Sequence, residues 1–261
     1  MGIVNATPDS FSDGGLFLDA RAGLDHALGL VDEGADILDI GGESSRPGAE
    51  PVSPADEIAR VVPLIAAIRA RSGVPISIDT VKPAVARAAM AAGASIWNDI
   101  AALTAPGAPE TAAELGCEVI LMHMQGEPRT MQAAPHYENV VAEVCDFLLA
   151  RADAAMAAGV ARERIWLDPG IGFGKTLAHN LALMAALDQI VALGFPVLLG
   201  ASRKSFLGKL DPAAWDPGHR LGGSLAAALA GASAGVAAVR VHDVAQTVQA
   251  LRVWDAVSPA R

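Results

Sequence analysis

The chain has 261 residues, 52% of them hydrophobic and only 18% charged, with a net charge of −10. That length and apolar content suit one large domain (residues 1–261), and an acidic chain without a block of Lys or Arg excludes a nucleic-acid surface of the usual basic kind. The two cysteines, Cys117 and Cys145, are far apart and form no CxxC, and no basic, apolar leader precedes the first strand, so a reducing cytoplasm is the expected compartment.

In chain order, residues 1–6 read as a strand and 7–15 as a polar, turn-rich loop. Apolar positions at helical spacing mark 19–33 as a helix, with Gly34 as its cap. Strand 37–41 follows, then a second long loop, 41–53. Ser53, Pro54 and Asp56 open a helix through an N-cap, a proline in the first turn and an early acid. The pattern repeats: strand 74–79, helix 82–92, strand 95–99, short helix 109–115, strand 118–123, loop 126–137 and helix 140–158. It continues through strand 165–168, helix 177–193, strand 196–200, helix 219–230, strand 236–242 and helix 244–257. The 19 uncharged residues between Arg220 and Arg240 are long enough to cross a bilayer, but they are Gly, Ala and Ser with few large apolar groups. A helix followed by a strand is the expectation there, with no membrane contact.

The strands are uninterrupted apolar runs, as in a parallel sheet buried on both faces. Eight strand–helix units of about 33 residues each imply a single (β/α)8 TIM barrel, of class α/β. A doubly wound sheet would gather its polar residues at one switch point; here nearly every strand ends in one. Those ends carry Asn5, Glu43, Arg46, Asp79, Asn98, Asp99, His123, Asp168, Lys204, Arg240 and His242. Asp79, Asn98 and Asp168 suit a planar heterocycle rich in N–H donors, because a carboxylate accepts two parallel bonds from an amidine-like edge. Arg240 and His242, two apart on a strand and joined by Asn5, form a cationic corner suited to phosphate.

Each residue also has a plainer reading. His123, flanked by methionines, reads as a core histidine, Asp39 as an internal structural acid, and Lys82 and Lys175 as solvated. The stretch IGFGKT resembles the end of a phosphate loop, but the first required glycine is Pro169, which has no N–H to offer.

Taken together, MGIVNATPDSFSDGG (1–15), DIGGESSRPGA (39–49), ISIDT (76–80), WNDI (97–100), LMHMQGEPRTMQ (121–132), LDPGIGFGKT (167–176), GASRKSFLG (200–208) and RVHDV (240–244) resemble dihydropteroate synthases over the whole chain. Methyltetrahydrofolate-dependent methyltransferases share the general pterin-binding barrel, and a catalytically silent pterin-binding paralogue is a further alternative. SRKSFLG, RVHDV and the two long early loops favour the synthases.

The resemblance implies a transferase that joins 6-hydroxymethyl-7,8-dihydropterin diphosphate to p-aminobenzoate, with Mg²⁺ on the diphosphate. It implies a pterin pocket of Asp79, Asn98, Asp168 and Lys204, and a diphosphate site of Asn5, Arg240 and His242, with Asn5 also near the metal. It implies an aminobenzoate site of Phe11, Ser45, Arg46, Pro47, Phe173 and Ser205. Asp79, Asp168, Lys204, Arg240 and His242 would carry catalysis, and the glycines at 170, 172 and 174 would let their loop lie against the ring. Sulfonamides, as aminobenzoate mimics, are expected to compete, and a homodimer is usual in the family. Ala6 replaces a usual valine and Ser45 a common threonine. Relatives usually carry a segment ahead of the first strand, and lacking it is expected to lower stability without touching the chemistry.

Overall fold

The computed structural model describes residues 1–6, 15–44 and 50–258, with the backbone alone for 15–20. Phe11, Ser45, Arg46 and Pro47 lie outside the described residues. The strands are β1 (Gly2–Asn5), β2 (Leu38–Gly41), β3 (Ile76–Asp79), β4 (Ile96–Asp99), β5 (Glu118–Met122), β6 (Ile165–Asp168), β7 (Leu198–Leu199) and β8 (Ala238–Val239). The helices are α1 (Gly15–Asp32), α2 (Pro54–Arg69), α3 (Pro83–Ala92), α4 (Ala108–Leu115), α5 (Val140–Ala157), α6 (Leu177–Ala185), α7 (Leu187–Val191), α8 (Ser205–Leu210), α9 (Leu221–Ala234) and α10 (Val244–Val257).

Strands β1 to β6 pair in parallel in sequence order, and β7 pairs with β8. Two single parallel bridges join these pieces: Leu167 to Val197 between β6 and β7, and Gly2 to Val241 between β8 and β1. Hydrogen bonds from Leu167 N to Pro196 O (2.9 Å), Ile3 N to Val241 O (3.1 Å) and Val241 N to Met1 O (2.9 Å) carry the pairing across both seams. The ring closes as a TIM barrel, as the repeat predicts.

Local signals set the helix ends. Ser53 caps α2 by accepting the Asp56 N–H (3.1 Å). Asn139 does the same for α5 through Ala142, and Thr176 with His179 forms a capping box on α6. The span 177–193 is two helices, not one: Ala186 leaves helical geometry (φ −112°, ψ 21°), and Leu183, Leu187 and Ile190 remain buried on either side of the break. The stretch SRKSFLG, given no element by the sequence pattern, carries the start of α8. Residues 221–239 form α9 and β8, and among the described residues no helix is long and apolar enough to cross a membrane.

Side-chain parity along the strands sorts the residues. One parity (Val4, Leu38, Ile40, Ile76, Ile78, Trp97, Val119, Leu121, Leu167) packs against the helices in the main core. The other points into the barrel. At one end it stacks Met1, Ile96, Ile120 and Leu198; at the carboxyl end it presents Ile3, Asp79, Asn98, Met122 and Asp168 to a cavity. Trp97 belongs to the core layer, is fully buried, and donates its indole N–H to Thr80 O at 2.7 Å, tying β4 to the exit of β3. Replacing Trp97 with Phe leaves that carbonyl unpaired and is expected to cost about 1–3 kcal/mol, read as a lower urea midpoint by circular dichroism.

Candidate active site

Ile3, Asp79, Asn98, Ile100, Met122, Asp168, Gly170, Ile171, Phe173, Gly200, Ser202, Lys204, Arg240 and His242 line the cavity at the carboxyl end. Of the expected site residues, Asp79, Asn98, Asp168, Phe173, Lys204, Arg240 and His242 therefore meet in one place. Asn5 ends β1 half-buried beside Gly41, and Ser205 is exposed in the first turn of α8; neither lines the cavity.

Arg240 is not free for an anion alone. Its Nε donates to Asp39 Oδ2 at 2.6 Å and its second terminal nitrogen to Asp79 Oδ2 at 2.9 Å. Burial works against the guanidinium charge, and Asp39 and Asp79 more than offset it. Asp39 has no exposed surface and also accepts from Asn98 Nδ2 at 3.3 Å. It is internal, as expected, but it also orients two of the site's side chains. Burial pushes Asp79 up to about 7, against the pull of Arg240.

The Asp168 carboxyl is also raised by burial, while the Gly170 N–H at 2.7 Å, Lys204, Arg240 and Lys175 draw it back. Lys204 stands with its Nζ 3.9 Å above the Phe173 ring centre. Burial lowers its ammonium to about 8.

The glycine-rich loop corrects one expectation. Gly170 (φ +65°) and Gly174 (φ +59°) are also required by the exit of β5: a Cβ would lie 1.8 Å from His123 O and 2.4 Å from Gln125 O respectively. Lys175 is buried, with 2% of its surface exposed, rather than solvated. Its Nζ reaches Gly170 O (2.9 Å), Phe173 O (3.0 Å), His123 O (3.3 Å) and His123 Nδ1 (3.0 Å). Gln132 Nε2 donates to Gly172 O (2.6 Å), Tyr137 Oη to Gly174 O (2.9 Å), and Asn180 accepts the Gly172 N–H (2.6 Å). The loop is a braced wall that fixes Phe173. His123 is a core histidine, packed edge-on to Phe147 and pushed down to about 3 by burial and Lys175.

Lys82 is likewise paired, with Glu43 and Glu57, which hold its charge against burial. His242 corrects the cationic corner: burial, then Arg203 and Arg240, lower it to about 4, so the ring is neutral near pH 7.

A family model of pterin binding enzymes matches residues 1–242. The dihydropteroate synthase of Escherichia coli (strain K12) is 49% identical over 261 residues, covering 100% of this chain and 92% of that protein. The chain belongs to the dihydropteroate synthase family. It is an enzyme of the transferase class. A Xanthomonas albilineans dihydropteroate synthase solved with 4-aminobenzoic acid superposes with a TM-score of 0.94 at 50% identity, covering 100% of this chain and 93% of that one. A Yersinia pestis dihydropteroate synthase in a sulfonamide drug complex gives 0.92 at 45% identity, covering 98% and 92%.

Beyond the site residues named earlier, the fold adds Asp39, Lys175 and Ser202 to this site. A sequence signal existed for Lys175, the lone cation in a run of glycines and apolar residues from 169 to 178. Lys175→Met removes the donor to two loop carbonyls and is expected to destabilise the fold by about 2–4 kcal/mol, measured from urea midpoints against wild type.

Proposed function

We propose that this enzyme condenses 6-hydroxymethyl-7,8-dihydropterin diphosphate with 4-aminobenzoate to give 7,8-dihydropteroate and diphosphate. The observation that carries the reading is one cavity in which two acids, Asp168 buried and Asp79 half-buried, and an amide stand beside Arg240, Lys204 and His242. Asp168, Asp79 and Asn98 take the N–H edge of the pterin, and Lys204 lies over the Phe173 face to contact the ring system. Arg240, anchored by Asp39, shares its remaining donors with the diphosphate, and His242 adds a second contact.

Mg²⁺ is tested by its donors. Among the described residues no group of three or more His, Cys, Asp or Glu forms a cage. Mg²⁺ needs none, since it keeps waters and takes one or two protein oxygens together with substrate phosphates. The Asn5 amide oxygen at the end of β1 fits that mode. When bound, the ion neutralises charge on the departing diphosphate.

The C–O bond to the methylene breaks first, and its electron pair leaves with the diphosphate. The electron-rich dihydropterin carries the resulting cation, which the Asp79 and Asp168 carboxylates stabilise in a low-dielectric site. The aniline nitrogen then bonds to the methylene carbon, and its proton leaves with the diphosphate. Phe11, Ser45, Arg46 and Pro47, with Phe173 and Ser205, hold the 4-aminobenzoate, and sulfonamides compete for that place. The loops bearing the first four exclude water, which otherwise captures the cation. The enzyme acts in the cytoplasm as a homodimer.

Purified protein with the pterin diphosphate, 4-aminobenzoate and Mg²⁺ is expected to form dihydropteroate; absence of product overturns the reading. In the same preparation Asp168→Asn is expected to weaken pterin binding at least about tenfold more than Arg46→Ala by calorimetry, since it removes an acceptor of a charge-assisted pair.

The pH profile follows from the two shifted groups. Asp79, raised from 3.8 to about 7, gains its charge as pH rises. Lys204, lowered from 10.5 to about 8, loses its charge above that pH. The kcat/KM for the pterin diphosphate is therefore expected to climb through pH about 7 and fall above about 8. Asp79→Asn lowers the rate and removes the acid limb.

A further inference from the structure

Ser202 follows β7 at the cavity wall, is buried with 6% of its surface exposed, and has no part in the reaction derived above. Its oxygen accepts the backbone N–H of His242 at 3.2 Å. The same oxygen lies 3.1 Å from His242 Nδ1. A serine hydroxyl has one hydrogen to give and two lone pairs to accept with. Two arrangements are therefore open between these atoms. If Nδ1 carried a hydrogen, two N–H groups of one residue would converge on the serine oxygen, and the hydroxyl hydrogen would have no acceptor among the described residues. If the hydroxyl donates to a bare Nδ1, both the backbone N–H and the hydroxyl are satisfied. The second arrangement satisfies every donor of the pair within the protein, whereas the first leaves the hydroxyl to solvent in the cavity.

We infer that Ser202 fixes His242 as the neutral tautomer with its proton on Nε2, so that the ring meets a phosphoryl oxygen as an aimed hydrogen-bond donor and not as a cation. The inference rests on the proposed contact between His242 and the diphosphate. The surroundings agree with a neutral ring. Arg203, Arg240 and Lys204 oppose a positive charge there, and Asp243 alone favours one. The positive charge for the diphosphate already comes from Arg240, and with Arg203 and Lys204 also close a further cation at His242 would be repelled.

The neighbours of Ser202 and His242 hold the pair in register. Arg203 has a left-handed backbone (φ +56°), and its guanidinium binds both oxygens of Asp243, with Nε to Oδ2 at 3.0 Å. Ser224 Oγ accepts the Arg203 N–H at 2.9 Å, and Arg220 donates to Arg203 O at 2.9 Å. The residue after Ser202 is thus clamped to the residue after His242, and the serine cannot drift from the ring. Ser202 is a positioning residue that acts through His242.

The test uses the full chain labelled with nitrogen-15 histidine. Two-bond proton–nitrogen correlations at pH 7 are expected to show His242 with Nδ1 bare and Nε2 protonated; Ser202→Thr keeps this pattern and Ser202→Ala gives a mixture of tautomers. With inorganic diphosphate as probe, Ser202→Ala is expected to bind about tenfold more weakly, and Ser202→Thr within about twofold of wild type. In turnover, Ser202→Ala raises KM for the pterin diphosphate and leaves KM for 4-aminobenzoate unchanged. An imidazolium or an Nδ1-protonated ring in the wild type overturns the inference, as does a Ser202→Ala spectrum identical to wild type. A diphosphate titration that leaves the His242 signals unmoved overturns instead the contact on which the inference rests. Circular dichroism of both variants separates a loss of folding from a change of tautomer.

Discussion

A single, largely enclosed guanidinium organises the mouth of this barrel. Arg240 leaves β8, passes β1 and binds Asp39 of β2 and Asp79 of β3. Its fork satisfies both carboxylates at once, which an ammonium would not do with the same geometry. Asp39 then takes Asn98 of β4 on its second side. Four strands are thereby referenced to one charged group. A buried ion pair of this kind contributes little net stability, because desolvation offsets the attraction. Its effect here is positional: the acid and amide proposed for the pterin and the arginine proposed for the diphosphate are set relative to one another before any substrate arrives.

The opposite wall is held by a different device. Lys175 gathers the carbonyls of Gly170, Phe173 and His123 onto one nitrogen, and burial lowers that nitrogen to about 7. Glycine at 170 and 174 is required because the loop backbone lies against the exit of β5, with no room for a Cβ. Phe173 and Lys204 are therefore presented from fixed backbones on both sides, the first by the braced loop and the second by the strained Arg203. Preorganisation of this kind would serve the proposed reaction, which develops charge as the diphosphate departs.

Much of this was legible in the residues, and the reasons for the misses are specific. Strand parity works from sequence because a closed parallel barrel puts apolar side chains on one face and leaves the other for the interior; Asp79, Asn98 and Asp168 all fall on the inward parity. Lys82 and Lys175 read as solvated in the sequence because Glu43 and Glu57 in one case and His123 in the other come from elements distant in the chain, and because the fold of the loop that turns the Gly170 and Phe173 carbonyls onto Lys175 is not a local sequence signal. The charge of His242 was misjudged because proximity to Arg203, Arg240 and Lys204, together with burial, exists only in the fold. The break at Ala186 has no Gly or Pro to announce it.

The sequence by itself determined the repeat, the caps and the strand ends, because these depend on periodicity and on contacts within a few residues. Eight apolar runs, each closed by a polar residue, leave little choice but a barrel with its chemistry on one rim. Which of those polar residues meet was decided only by closure of the ring at the bridges Leu167–Val197 and Gly2–Val241. Closure brings residue 240 within 2.6 Å of residue 39, and the pairing of β7 with β8 brings residue 202 within 3.1 Å of residue 242. Protonation and hydrogen-bond direction follow from those approaches, since both depend on distance and burial and neither is written in the order of residues along the chain.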